Sequence, residues 1–236
     1  MNIPSNQTTG HRSEISLDGV WAFRHGAETD WRDIIVPMPW QAQFADLRQT
    51  SGKATYRRGF DRPAGPGAVY LRFGAVSYFA TVRVNGQDIG SHEGGYLPFK
   101  YLIPAELLHD TNILEVDCLL PDGNPSTTPD FPFAEIPHGK QSWYGPIGGI
   151  WQSVQLILRA PCHLQHCAIT AGVDGTVTVR LTVPTAALGA AVQITVWGPD
   201  GQKTATARQN IAATDQVMIV QVADPALWSN DLERLA

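Results

Sequence analysis

The chain alternates apolar and polar residues in many short runs, the pattern of β-strands that bury one face. The clearest runs, rich in branched and aromatic residues, are 70–73, 81–84, 113–118 and 154–158. Asn85-Gly86, between two such runs, predicts a tight hairpin because both residues tolerate positive φ. One helical turn is predicted at 104–108, with Pro104 at its first position. The first part of the chain is therefore predicted to be an antiparallel β-sandwich.

A second group of strand-like segments begins after Ala160-Pro161. Its segments are 163–170, 176–183, 192–197 and 217–222. Four or five strands are fewer than the roughly seven of a complete immunoglobulin-type sandwich. The last residues, 228–236, look like the start of another strand. We therefore expect a second β-sandwich that is truncated at its C-terminal end.

Composition narrows the class of protein. The 236 residues carry a formal net charge of −5, and no run of Lys or Arg occurs, which argues against a nucleic-acid partner. No apolar stretch approaches the roughly 20 residues that span a membrane. The N-terminus lacks the basic and apolar regions of a secretion signal. We expect a cytoplasmic protein with no membrane partner.

The three cysteines, Cys118, Cys162 and Cys167, do not form a disulfide framework. The stretch 162–167 (CHLQHC) suggests a metal site, but its spacing matches no common zinc pattern. The alternative is a strand on which His163, Gln165 and Cys167 share one face. Neither a metal nor a cofactor is expected.

Seven stretches along the chain resemble, in the same order, the N-terminal region of glycoside hydrolase family 2. This family contains β-galactosidases, β-glucuronidases and β-mannosidases. The strongest are HEGGYLPF at 92–99 and GGIWQSV at 148–154. The others are 16–23, 35–40, 56–60, 82–90 and 225–229.

The resemblance implies an all-β chain: a jelly-roll, galactose-binding-like sandwich over 1–160, then an incomplete immunoglobulin-like sandwich over 161–236. In the family a (β/α)₈ barrel follows and carries the two catalytic glutamates, which retaining hydrolysis needs about 5 Å apart. The two β modules take up this chain, so we expect no catalytic residue in it and no hydrolysis by it alone. The expected partners are a carbohydrate and the barrel, in cis or in trans, and a homo-oligomer is left open.

Most aromatic residues of the first module are predicted to be core. This applies to Trp21, Phe23, Tyr70 and Phe73, together with Val82 and Val84. Trp151 is predicted on a strand over 150–158, either in the core or packed against the barrel. Lys100 stands where the family often has an acidic residue.

Three segments hold candidate substrate-binding residues, each with a structural alternative. The loop 138–145 matches one that borders the family's active site, and its Lys140, Gln141, Trp143 and Tyr144 suit hydroxyl bonding or ring stacking. The family's sugar-binding acid is absent there, so the sugar is not named. Arg48 and Gln43 lie in a polar loop, 41–53, that is otherwise a solvated loop. His92 and Glu93 are expected to hydrogen-bond a sugar, each other or a neighbouring loop, and the resemblance implies that their stretch mainly shapes the end of the sandwich.

Three functions remain open at this stage. The chain is the N-terminal, non-catalytic part of a family 2 glycosidase that braces the barrel and borders its sugar pocket. Alternatively, it is a stand-alone carbohydrate-binding module, or a scaffold for a separately encoded barrel.

Overall fold

A computed structural model describes residues 12–65, 67–122 and 147–227. The chain divides into two compact units, and it passes from one to the other between Arg159 and Ala160. Both units consist of antiparallel strands, which confirms the predicted all-β class with sandwich modules. The predicted types and limits of the two domains stay predictions. No helix among the described residues is long and apolar enough to cross a membrane.

The N-terminal unit contains twelve strands in its described residues. The first six are β1 (Arg12–Ser16), β2 (Gly19–His25), β3 (Arg32–Val36), β4 (Gly52–Asp61), β5 (Ala68–Phe73) and β6 (Val76–Ser77). The others are β7 (Phe79–Val84), β8 (Gln87–Glu93), β9 (Phe99–Ile103), β10 (Thr111–Leu120), β11 (Gly149–Ile150) and β12 (Val154–Arg159). They form a four-stranded sheet, β1-β12-β5-β9, a six-stranded sheet, β3-β2-β4-β10-β7-β8, and the short pair β11-β6. A single helical turn, α1 (Trp40–Gln43), follows β3.

One hydrophobic core lies between the two large sheets. Trp21 and Phe23 point inward from the six-stranded sheet, and Phe73 points inward from the four-stranded sheet. Their rings are almost completely buried, as predicted. Val82 and Val84 are also fully buried, because alternate residues of β7 face the core.

Tyr70 is buried, as predicted, but it is not part of the cluster between the two large sheets. Its strand neighbours Val69 and Leu71 belong to the core, so Tyr70 points to the other face of the four-stranded sheet. It pairs across the sheet with Ile157, which is also buried outside the core.

The predicted hairpin is confirmed, and the predicted helical turn is shorter than expected. Asn85 and Gly86 have φ of 51° and 82° and connect β7 to β8. The turn predicted to begin at Pro104 is a three-residue 3₁₀ helix, Ala105–Leu107, and Pro104 precedes it as the N-cap.

The C-terminal unit has five strands in its described residues, in two sheets. The strands are β13 (His166–Ala171), β14 (Thr176–Thr182), β15 (Ala191–Trp197), β16 (Lys203–Asn210) and β17 (Asp215–Gln221). The first sheet is β13-β14-β17 and the second is β15-β16. Val179, Leu181 and Met218 form a small core, against which Val192 and Ile194 pack.

The inner face of β13 is largely uncovered. Ile169, Val179 and Met218 are register neighbours and share this face, yet Ile169 is 67% exposed whereas the other two are 3% exposed. β13 also begins later than predicted, at His166. His163 precedes the strand, and its ring Nδ1 lies 2.7 Å from Ala160 O, so the local bond holds a bend there.

Candidate functional site

Four segments gather at one end of the N-terminal sandwich, and we call this end the rim. The rim consists of residues 38–50, 75–78, 93–97 and 147–151. The predicted sugar-binding loop, with Lys140, Gln141, Trp143 and Tyr144, lies outside the described residues. The described chain stops beyond β10 and resumes at Ile147, so the base of that loop is in the rim.

Gln41 fixes one side of this base. Its side chain is buried, its Oε1 accepts a hydrogen bond from Gly148 N at 3.0 Å, and its Nε2 donates to Thr50 O at 3.0 Å. The ring of Trp40 closes over the same place, and a Cβ atom at Gly148 would lie 2.4 Å from it. Only glycine leaves room for this approach.

The next residue, Gly149, is fixed by conformation as well as by space. Its φ is +89°, a region that favours glycine, and a Cβ atom would lie 2.0 Å from the Tyr56 hydroxyl oxygen. Tyr56 is fully buried, and this burial raises its pKa. Gly149 pairs with Ser77 in the short β11-β6 ladder, which joins the base to the far side of the rim.

Trp151 holds the other side of the base, in a way that differs from the prediction. Residues 151–153 interrupt the predicted strand, so Trp151 is half-buried at the rim and is not a core residue. Its Nε1 donates to Gly95 O at 2.8 Å. Its ring meets the ring of Tyr96 edge-on, with 5.9 Å between centroids, and Tyr96 is 49% exposed.

His92 and Glu93 lie at the end of β8, beside this aromatic pair. The His92 ring stacks on Phe99 with 4.0 Å between centroids, and burial lowers the pKa of His92. Its Nε2 is buried and has no hydrogen-bond partner among the described residues. Glu93 Oε1 accepts a hydrogen bond from the Tyr78 hydroxyl at 3.2 Å, and burial followed by this bond raises the pKa of Tyr78.

Gln43 and Arg48 lie on the Gln41 side of the rim, and they differ in whether the side chain is already engaged in hydrogen bonds. The Gln43 amide accepts from Ile35 N at 2.7 Å and donates to the carbonyls of Ile35 and Met38. It thus braces the main chain at the end of β3. Arg48 is exposed, and its guanidinium makes no hydrogen bond or ion pair with another described residue. Arg48 is therefore the better placed of the two for a ligand.

The described rim offers hydrogen-bonding side chains and an aromatic pair, which suits contact with sugar hydroxyls and ring faces. Among the described residues, no group of three His, Cys, Asp or Glu side chains could hold a metal ion. Cys162 and Cys167 are exposed single thiols, and Cys118 is buried in the core.

Comparison with known proteins agrees with the fold and with the sequence resemblance. No family model matches the chain. The chain is similar to β-glucuronidases and covers the N-terminal part of these relatives, in line with the resemblance of its motifs to glycoside hydrolase family 2.

Three of these relatives define the extent of the similarity. A β-glucuronidase of Bacteroides fragilis is 36% identical over 103 residues, 39% of this chain and 14% of the relative. One of Paenibacillus borealis is 25% identical over 257 residues, 97% of this chain and 42% of the relative. The structure of Faecalibacterium prausnitzii β-glucuronidase matches with a TM-score of 0.65 and 26% identity, over 98% of this chain and 44% of that one. The chain thus spans less than half the length of each.

Proposed function

We propose that the chain is the N-terminal, non-catalytic part of a family 2 glycoside hydrolase that acts on β-glucuronides. In this role it braces a catalytic (β/α)₈ barrel, joined in cis or supplied in trans, and borders the sugar pocket with its rim. The substrate class is taken from the relatives, which are β-glucuronidases. The chain alone is expected to hydrolyse nothing.

One observation carries the assignment of the rim to the sugar pocket. The base of the predicted sugar-binding loop is held on both sides, by Gln41 and by Trp151. Arg48 lies on the first side, and His92 and Glu93 lie near the second. The predicted binding residues outside the loop therefore flank its described base at one end of the sandwich.

The test joins the chain to a family 2 catalytic barrel and measures hydrolysis of 4-nitrophenyl β-D-glucuronide. The β-galactoside and β-mannoside serve as comparison substrates, and the chain alone is the control. We expect activity only in the joined protein and strongest on the glucuronide. A folded joined protein with both barrel glutamates that cleaves none of the three would refute the proposal.

The contribution of the rim is tested separately in the same joined protein. Trp143→Ala and Arg48→Ala should raise KM several-fold, whereas Trp197→Ala, an exposed residue of the C-terminal unit, should not. Equal KM values in all three variants would remove the rim from the sugar pocket and leave only the bracing role.

A second candidate function is that of a stand-alone carbohydrate-binding module. The edge-on pair of the exposed Tyr96 and the half-buried Trp151 favours it, because aromatic faces stack on sugar rings. Ligand-detected NMR of the chain with mono- and oligosaccharides should then show binding that Tyr96→Ala abolishes. No binding up to about 10 mM sugar would exclude this function. A scaffold for a separate barrel would instead appear in a pull-down against the barrel encoded nearby.

A further inference from the structure

His25, the last residue of β2, supports one side of the loop base through Trp40. Its strand neighbours Trp21 and Phe23 point into the core, and His25 points the same way because side chains alternate along a strand. The His25 ring meets the Trp40 ring edge-on, with 5.5 Å between centroids. Trp40 is fully buried, and a Cβ atom at Gly148 would lie 2.4 Å from its ring. Trp40 is thus packed between His25 and the base of the loop.

The imidazole of His25 suits this place only while it is neutral. Its Nε2 is buried and has no hydrogen-bond partner among the described residues. Gly52 on β4 lies beside it, with a Cβ position 3.9 Å from Nε2, and glycine has no side chain that could accept a bond. A neutral imidazole can leave one nitrogen as an unbonded acceptor, whereas the imidazolium carries an N–H on both nitrogens. Protonation in place would therefore bury a charge and an N–H without an acceptor, and both are unfavourable.

Three charged side chains lie around His25. Glu28 accepts a hydrogen bond from the His25 backbone N–H at 2.8 Å, and Arg32 pairs with Glu28 at 2.7 Å and with Asp46 at 2.9 Å. Lys53 on β4 is exposed and points to the opposite face of the sheet. Burial lowers the pKa of His25, although Glu28 and Asp46 partly offset this effect. Because these carboxylate side chains are 34% and 63% exposed, a charged imidazole gains more from moving toward them and water than from its buried place.

We propose that His25 is a pH-dependent latch for the Gln41 side of the rim. In its neutral form the imidazole packs against Trp40 and holds this ring against Gly148. When the imidazole takes a proton from solvent, it leaves this place for water and the nearby carboxylates, and Trp40 loses its support. The base of the loop then loosens. The latch goes beyond the proposed function and does not depend on what the rim binds.

Hydrogen exchange measured by NMR on the 236-residue chain tests the latch. The protection factor of the Gly148 amide compares its exchange rate with that of an unfolded peptide at the same pH, so it reports opening alone. Opening that takes up one proton becomes at most about tenfold more favourable for each pH unit below about 6.5. We therefore expect this protection factor to fall several-fold from about pH 7 to about pH 5, and the Trp40 indole resonance to shift over the same range. A constant protection factor would overturn the proposal.

Substitutions assign the effect to this histidine. His25→Phe keeps a flat ring against Trp40 that cannot ionise, and His25→Gln keeps neither the ring nor the charge. In both variants the protection factor of Gly148 should no longer change over this pH range. In His25→Gln it should also be lower at every pH, because Trp40 has lost its support. His166→Gln, which replaces an exposed histidine of the C-terminal unit, is the matched control and should behave like the unsubstituted chain. A pH dependence that persists without His25 would refute the latch.

His92 must be distinguished from His25, because burial lowers its pKa as well. It lies on the Trp151 side of the rim and stacks on Phe99, not on Trp40. His92→Gln should therefore leave the pH dependence of the Gly148 protection factor and of the Trp40 resonance as it is in the unsubstituted chain. Loss of this dependence in His92→Gln, together with its retention in His25→Phe, would assign the response to the other side of the rim and contradict the proposal.

Discussion

Replacement of Gln41 by Leu tests whether the rim is fixed as the structure indicates. The side chain is only 8% exposed and makes two hydrogen bonds of 3.0 Å, to Gly148 N and Thr50 O. Leu has a similar volume, so the change removes the bonds without opening a large cavity. Thr50 O keeps the bond from Trp40 Nε1, at 3.1 Å, and is not left without a donor.

The buried N–H of Gly148 determines how much stability this substitution costs. A buried donor left without an acceptor costs about 1–3 kcal/mol, and we therefore expect Gln41→Leu to lose about 2 kcal/mol of unfolding free energy. For a protein of this size the melting temperature should fall by about 4–8 °C. The exchange of the Gly148 amide hydrogen should also accelerate, because its acceptor is gone.

The assays are thermal and urea unfolding, together with hydrogen exchange read by mass spectrometry on the peptide around Gly148. Gln87→Leu is the matched control, since Gln87 is exposed in the hairpin, and it should change stability by less than about 0.5 kcal/mol. The reasoning fails if the two variants have the same melting temperature and the amide hydrogen of Gly148 exchanges at an unchanged rate.

Three further outcomes are expected. Gly149→Ala should lower the free energy of unfolding in urea by more than about 3 kcal/mol, because the added methyl group would clash with the hydroxyl of the buried Tyr56. Gly86→Ala is the control: its φ is similar but no atom lies near the added methyl group, so it should cost about 1 kcal/mol. Burial lowers the pKa of His25 below 6.5, so the unfolded chain binds more protons; the contribution of this residue to stability is present above about pH 6.5 and lost as the pH falls below it. Unfolding free energies measured from about pH 7.5 to 5 should show this loss, with a smaller slope in His25→Gln. In the C-terminal unit, Val179→Ala should lose about 2 kcal/mol and Ile169→Ala less than about 0.5 kcal/mol by the same assay, although the two share one face.

Strands with a strong apolar face could be predicted from the sequence, and strands without one could not. β7 alternates buried and half-buried residues along its length, and the predicted run, 81–84, lies within it. β16 has the sequence KTATARQN and no buried residue, so its pairing with β15 leaves no periodic signal. Its position depends on partners in another strand, which local pattern does not encode.

The sheet face on which Tyr70 lies could be predicted from the alternation of residues along its strand, although its aromatic side chain suggested the opposite face. In the run Tyr70-Leu71-Arg72-Phe73, the polar Arg72 shares a face with Tyr70, and that face is the outer one. Aromatic character suggested the core, whereas alternation indicates the other side. The residues of the other strands that share this face with Tyr70 could not be foreseen, because they depend on the register of β1, β12, β5 and β9.

The burial of Gln41 could not be predicted from the sequence, because its side-chain oxygen accepts a hydrogen bond from a residue 107 positions later. A glutamine in a polar loop gives no indication that it will be buried. The candidate residues Gln43 and Arg48, two and seven positions later, illustrate the opposite difficulty. Their residue types are equally suited to a sugar, yet one is occupied by the main chain and the other is exposed.

The two most family-like stretches, HEGGYLPF and GGIWQSV, contact each other in the structure. Trp151 of the second donates to Gly95 O of the first, and the adjacent glycines of the second fit under Trp40 and beside Tyr56. These motif residues are thus engaged in holding the base of the loop. We therefore propose that sugar specificity depends on residues outside these motifs, namely Arg48 and the loop in which Lys140 and Gln141 stand where the resemblance places the family's acid. On this proposal the motifs that reveal the resemblance and the residues that select the sugar are different, which is why the motifs alone name no sugar.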